Sequence, residues 1–288
     1  MNQPTVDEET ARIQKAVTAV RGWESLTETP EAPERGSDLA ADDQVFPPLP
    51  TSTVAWFAIT SAIDHLSLGA DLLQADDVRV LRPQAFHSLM RSALLGAAQA
   101  LWVLAGTPDE RAVRSLLIVE DEASMQRKYI RAYLHDPTIS NDVSADFLEE
   151  LQEQDTKLTD RITAVRHELR TRGHKTGFQS TQMITDVAAH MAPRDPWLRR
   201  ALMDQWQRGS AAAHSRMWTL HFREAEDTPL PEGGATRRYT STSTDIAQAY
   251  GSPTLVLSEA LTLWDQRRRR PARIPPLVTM PLPRATLH

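Results

Sequence analysis

Between Ala93 and Ala105 the only strongly polar side chain is Gln99, in the stretch Ala85–Gly106 that reads AFHSLMRSALLGAAQALWVLAG. A helix over these residues is apolar on every side, so other helices must wrap it. The apolar run is about thirteen residues, short of the roughly twenty that a membrane span needs, and Arg91 stands just upstream. The stretch therefore predicts the central helix of a water-soluble bundle, with no membrane partner. His87 and Arg91 lie one turn apart on it and share a face at the edge of the core. A buried guanidinium requires carboxylates or carbonyls. Two readings stay open for Arg91: an ion pair with Asp64, Glu120 or Glu122, or a place in a polar pocket.

The flanking segments supply the wrapping. Residues 8–26 form a first helix with Ile13, Val17 and Val20 on one face. Glu28–Pro50 holds five prolines among many acids, a composition that predicts an extended tether over the surface. Thr51 to Gln74 forms the next helix and lies against the central one. Thr107-Pro108-Asp109-Glu110 combines a cap, a proline at the first position and a capping-box acid. The helix it opens runs to about His135 and folds back antiparallel on the central helix. From Ser144 to Arg170 the positions Leu148, Leu151, Asp155, Leu158, Ile162, Val165 and Leu169 alternate three and four apart, a coiled-coil seam with one polar member. Such a seam is either an arm along the bundle or a homodimer surface. Helices follow over 181–191, over 197–222 after the Asp195-Pro196 start, and over 245–268 with a kink at Pro253. Arg238, Tyr239 and Thr240 make a short edge strand at best. Arg267–Arg270 suit a solvated cap at the negative end of the last helix.

These elements give an all-α fold, seven or eight helices around a buried central one. Residues 1–50 carry the first helix and the acidic, proline-rich linker, 51–270 the bundle, and 271–288 an irregular proline-rich tail. The first fifty residues hold ten acidic against four basic side chains, which accounts for the whole net charge of −6. Asp160–Arg223 reverses the balance, with eleven basic against five acidic residues, a surplus that can meet phosphate or simply coat a solvated surface. The chain has no cysteine, which removes disulfides, thiolate metal sites and cysteine nucleophiles and fits the cytosol. Its acidic N-terminus is unlike a signal peptide.

The residues most suggestive of chemistry run from Asp204 to Trp218, DQWQRGSAAAHSRMW. Small residues from Gly209 to Ala213 let another helix approach closely, with Arg208, Ser210 and His214 around a cleft. Arg208-x5-His214 resembles the Arg-x4-6-His motif of the HEPN superfamily, helical domains that include metal-independent RNases of toxin and antiphage systems. An early helix carrying His87 and Arg91, paired with Ser210, Ala213, His214 and Trp218, is also similar to helical proteins of actinobacteria. The chain departs from these patterns at Gly209, where the HEPN residue is usually polar, and at Leu95, where the actinobacterial proteins often carry Glu. Three other Arg/His pairs also fit the Arg-x4-6-His range, Arg82 with His87, Arg161 with His167 and Arg216 with His221. The setting on a capped amphipathic helix singles out the 208/214 pair.

The resemblance implies catalysis by Arg208 and His214, supported by Ser210, Arg91 and His87, with no cofactor or metal and with RNA as substrate. His214 would act as acid or base around the 2′-hydroxyl while Arg208 steadied the phosphate. On a straight helix the two side chains sit about 120° and about 9 Å apart, so a break at Gly209 or the second copy of a dimer must bring them together. The competing reading is structural: Asp204 one turn before Arg208 and Ser210 one turn before His214 satisfy them, and the protein is a non-catalytic interaction or regulatory module. No Glu-x-x-His or His-Glu-x-x-His, no phosphate-binding loop and no Gly-x-Ser-x-Gly elbow occurs, which argues against di-iron, zinc-protease, nucleotide and hydrolase chemistry.

Overall fold

The computed structural model describes residues 5–29, 31–75 and 82–271, so the tail beyond 271 lies outside the described residues. The architecture is a mostly helical bundle with one small two-stranded sheet. Ten α-helices occur among the described residues: α1 Val6–Glu24, α2 Asp38–Asp42, α3 Thr51–Gln74, α4 Pro83–Leu104, α5 Pro108–Leu134, α6 Pro137–Asp142, α7 Ala145–Thr171, α8 Ser180–Met191, α9 Pro196–Ala213 and α10 Ser243–Arg268. The two beyond the expected eight are the short α2 and α6.

The apolar stretch forms α4, and α3, α10, α9, α8 and α5 all pack on it. Two glycines set the closest approaches. A Cβ on Gly96 would stand 2.9 Å from the Ala58 carbonyl oxygen, and one on Gly209 would stand 2.7 Å from the Arg91 Cβ. Contacts that close exclude any side chain, so α3 and α9 are seated against α4 where only glycine fits. Ala58, Ala62, Ala93, Ala97 and Ala100 are buried in the same layer, with Phe86, Leu94, Leu101 and Leu104. Burial of each large side chain contributes about 1.5–3 kcal/mol. From α10, the Tyr250 hydroxyl donates to the Leu66 carbonyl at 3.2 Å, joining the last long helix to α3.

The helix beginning at Thr107 has both halves of its capping box, but its main partner is α7 rather than α4. Leu151, Leu158 and Ile162 of the α7 seam bury against Ala123 and Ile130 of α5 in a small cluster of their own, while Val165 and Leu169 join the main core. The seam is thus covered within the chain, as an arm.

Three expectations change. Residues 31–50 of the expected tether are not extended: Ser37 caps α2, Leu39 is fully buried, and Asp42 bonds the buried Arg111. The arginines at the end of α10 are the reason, because they are not merely solvated. Arg267 bonds Asp38 at 2.5 Å, Arg268 bonds Glu31, and the Glu34 N–H donates to the Arg268 carbonyl at 2.7 Å. The acidic segment and the basic helix end therefore neutralise one another. Next, α9 stops at Ala213 rather than Phe222. Ser215 adopts φ 53°, the Arg216 N–H reaches back to the Ala211 carbonyl at 2.8 Å, and a 3-10 turn follows over Met217–Phe222. Lastly, the predicted edge strand has a partner: β1 Glu224–Pro229 pairs antiparallel with β2 Ala235–Thr240, Glu224 opposite Thr240.

Candidate functional site

The turn after α9 brings Thr219, Phe222 and Arg223 over the start of α4 and the start of α10. Together with His87, Arg208 and Asp245 they line a narrow notch of about 10 Å³, room for about one water. Each side chain is delivered by a different piece of local logic. His87 stands on the first turns of α4, one turn before Arg91. Arg208 projects from α9 immediately before Gly209, the residue that holds that helix against α4. Asp245 is fixed because it completes the capping box of α10: its N–H donates to the Thr242 Oγ1 at 3.1 Å, and its carboxylate accepts from the Thr242 N–H.

Arg208 is gripped from two sides, its Nε 3.2 Å from Asp204 and its Nη1 3.1 Å from Asp245, with its guanidinium 5.1 Å from the centre of the Phe222 ring. Arg223 has no carboxylate within ion-pair distance among the described residues and donates only a long bond, 3.4 Å, to Gln84. Burial pulls its pKa below the usual range for a guanidinium. His87, 6% exposed, sits beside these cations. Burial first, then the positive charges of Arg223 and Arg208 against the opposing pull of Asp245, bring its pKa down to about 4. Its imidazole is therefore neutral at pH 7. Arg208 and Arg223 line the notch with Asp245, and Asp204 behind Arg208 brings the anions to two as well.

Arg91 and Ser210 meet in the α4/α9 interface beside the notch. The Arg91 Nε donates to the Ser210 Oγ at 2.9 Å, and its guanidinium lies 4.6 Å from the centre of the Trp206 ring. No carboxylate reaches Arg91 among the described residues. The expected partner Glu120 instead takes Arg166 at 2.6 Å. Stacking on an indole and bonding one hydroxyl suffices because the guanidinium is only partly enclosed, and burial lowers its pKa. His214 stands apart. It caps the end of α9, is exposed, and does not line the notch. Ser210 is bonded to Arg91 rather than to His214, and α9 runs unbroken through Gly209.

The structure thus gathers His87 and Arg208 in one place and adds Arg223, Asp245, Thr219 and Phe222. The sequence flagged none of these four: Thr219, Phe222 and Arg223 join the site through the left-handed turn at Ser215, which no glycine or proline announces, and Asp245 through the packing of the α10 start. Among the described residues no group of three or more His, Asp or Glu side chains could hold a metal ion, and no helix is long and apolar enough to cross a membrane. No family model, curated protein or solved structure matches the chain.

Proposed function

We propose that this protein is a metal-independent endoribonuclease of the cytosol, resembling the HEPN superfamily of toxin and defence systems, with RNA bound at the notch. The observation that carries the reading is a neutral His87 beside two arginines, Arg208 and Arg223. Arg223, held by no carboxylate among the described residues, is the fork-shaped cation available to a phosphodiester. The bound phosphate offsets the positive charge around His87 and raises its basicity toward the range useful for proton transfer. His87 then takes the 2′-hydroxyl proton as that oxygen bonds to phosphorus. The bond from phosphorus to the 5′ oxygen breaks, and the 5′ oxygen receives a proton from a second imidazole. We assign that second role to His214 of another copy in a homodimer, since an unbroken α9 keeps Arg208 and His214 of one chain apart.

The test is RNA cleavage by the purified protein in the presence of EDTA. Cleavage should persist without metal and fall by about 10²-fold or more in His87→Ala and in His214→Ala. Mixing the two variants should restore part of the activity if the imidazoles come from different copies. Absence of cleavage by the unaltered protein supports the second reading, a non-catalytic interaction or regulatory module. One observation favours that reading: Arg208 is already held by two carboxylates, as a structural arginine would be.

A further inference from the structure

The chain has seven tryptophans, and they are satisfied very unequally. Trp102 donates its indole N–H to Asp186 at 3.0 Å and carries the Arg114 guanidinium 5.4 Å from its ring centre. Trp206 donates to the Thr181 hydroxyl at 3.4 Å and carries Arg91 on its face. These two rings have both a hydrogen-bond partner and a cation supplied by the chain itself. Trp23 of α1, Trp56 of α3 and Trp264 of α10 have neither among the described residues.

Those three indoles come together. With Leu261 they wall a cavity of about 280 Å³ whose rim bears Glu31 and Asp265. A second, more open cavity of about 440 Å³ adjoins it, sharing Glu31, Trp56 and Trp264. The Trp56 and Trp264 rings pack against each other, their centres 5.0 Å apart and tilted by 36°. Arg268 bonds both rim carboxylates and Arg269 reaches Asp265 at 2.8 Å, so the two anions at the rim are balanced by two cations. The place is far from the notch, since Asp245 and Trp264 are nineteen residues apart on α10, roughly 28 Å along its axis.

We infer that this cavity binds a small organic cation carrying a quaternary or fully methylated ammonium group. The face of an indole is electron-rich and attracts a cation, best of all when the cation is already poorly hydrated. A primary ammonium would lose water from its N–H groups on entering a wall made mostly of carbon, whereas a quaternary one has no N–H to satisfy. Glu31 and Asp265 offset the charge of Arg268 and Arg269 at the rim, so that a cation entering the indole wall is not repelled. The volume lies just below the range of about 300–1,000 Å³ that houses drug-sized ligands, which suits a molecule of the size of choline. An apolar neutral molecule of the same shape would gain the burial and lose the charge term, and that difference decides the matter. The inference is independent of the ribonuclease reading.

The experiment titrates the full-length protein with choline and, separately, with 3,3-dimethyl-1-butanol, its uncharged isostere, by calorimetry and tryptophan fluorescence. Choline should bind at least roughly tenfold more tightly than the alcohol. Glu31→Gln, at an exposed rim position, should weaken choline several-fold and leave the alcohol unchanged. Trp56→Leu, checked for retained helicity by circular dichroism, should abolish choline binding. Equal affinity for the two compounds, or no heat and no quenching with choline at tens of millimolar, would overturn the assignment. So would undiminished choline binding by both variants.

Discussion

Two arginine–aspartate centres in this molecule use the same groups to opposite ends. Arg111 and Asp42 are both buried, with the Nε at 2.7 Å and Nη2 at 3.1 Å from the two carboxylate oxygens, while Nη1 donates to the Gly106 carbonyl at 3.0 Å. Cation and anion are matched one to one. At the notch, Arg208 and Asp245 are also paired, but Arg223 is added without a carboxylate of its own and a neutral imidazole lies between. The first centre is electrostatically closed and ties α2 to α5. The second is balanced in total, since Asp204 and Asp245 both hold Arg208, but the pairing is uneven and leaves the Arg223 guanidinium as the group an anion can meet. What separates structure from candidate function is therefore the completeness of pairing, not the identity of the residues.

If that distinction holds, breaking the closed centre has the larger effect on folding. Asp42→Ala strands the Arg111 guanidinium in the core, and loss of one partner of a buried pair costs about 3–5 kcal/mol. Urea unfolding followed by circular dichroism measures it. Replacing both groups, Asp42→Leu with Arg111→Met, should recover most of the loss, because an apolar pair of similar volume leaves no charge unpaired. A single substitution costing under about 1 kcal/mol would mean that water reaches the pair, and the contrast with the notch would fail.

The notch makes a pH-dependent prediction of intermediate size. His87 faces Arg208 from α9, Arg223 from the segment after the 3-10 turn and Asp245 from α10, and its pKa falls from 6.5 to about 4 on folding. Below pH 6.5 the unfolded chain binds a proton at this position that the folded one refuses. Its contribution is thus complete above pH 6.5 and is lost as pH falls toward 4. Between pH 6.5 and 5 the loss is on the order of 2 kcal/mol, at about 1.4 kcal/mol per pH unit. His87→Phe should flatten that part of the stability–pH curve. Adding phosphate to the unaltered protein should shallow it too if an anion occupies the notch, since its charge favours the imidazolium. A slope unchanged by the substitution would show that His87 is hydrated, and a slope unchanged by phosphate would place the notch with the closed centre.

The long-range frame was legible in the sequence because it rests on local signals. The apolar run gave α4 its central position, and the caps at Thr107 and Asp195 fixed two helix starts to within a few residues. His87 and Arg208 stood out because an imidazole and a guanidinium beside small or apolar residues invite a partner. Less legible were features that arise from tertiary pairing. Residues 28–50 look unpackable on composition, yet Asp38, Glu31 and Asp42 are drawn onto arginines more than sixty positions away. Ser215 in the left-handed region ends α9 without the glycine that usually does so. Arg223 follows from that turn and Asp245 from the α10 cap, so no linear spacing could couple them to His87. Trp23, Trp56 and Trp264 are spread over most of the chain, and each by itself resembles ordinary core filling.

The arm supplies the weak end of the series. Asp155 occupies the polar position of the α7 seam, and the structure gives it two cations from α5: the Arg127 Nε at 3.0 Å and the Arg131 Nε at 2.9 Å. The bond from Arg131, ahead of that from Arg127, holds its carboxyl below the ordinary range. Both arginine side chains remain partly in water, 26% and 42% exposed, so neither is stranded if the carboxylate disappears. Asp155→Leu removes the ion pairs but continues the apolar seam between Leu151 and Leu158. The two effects oppose each other, and the net change in unfolding free energy should stay within about 1 kcal/mol of zero. A loss comparable to that of Asp42→Ala would mean that the seam pair is as closed as the one in the core, and degree of burial would no longer rank the three centres. Pairing specificity is the more sensitive readout: with a leucine at 155, sedimentation velocity should reveal any added self-association through a seam that the aspartate now keeps folded on α5.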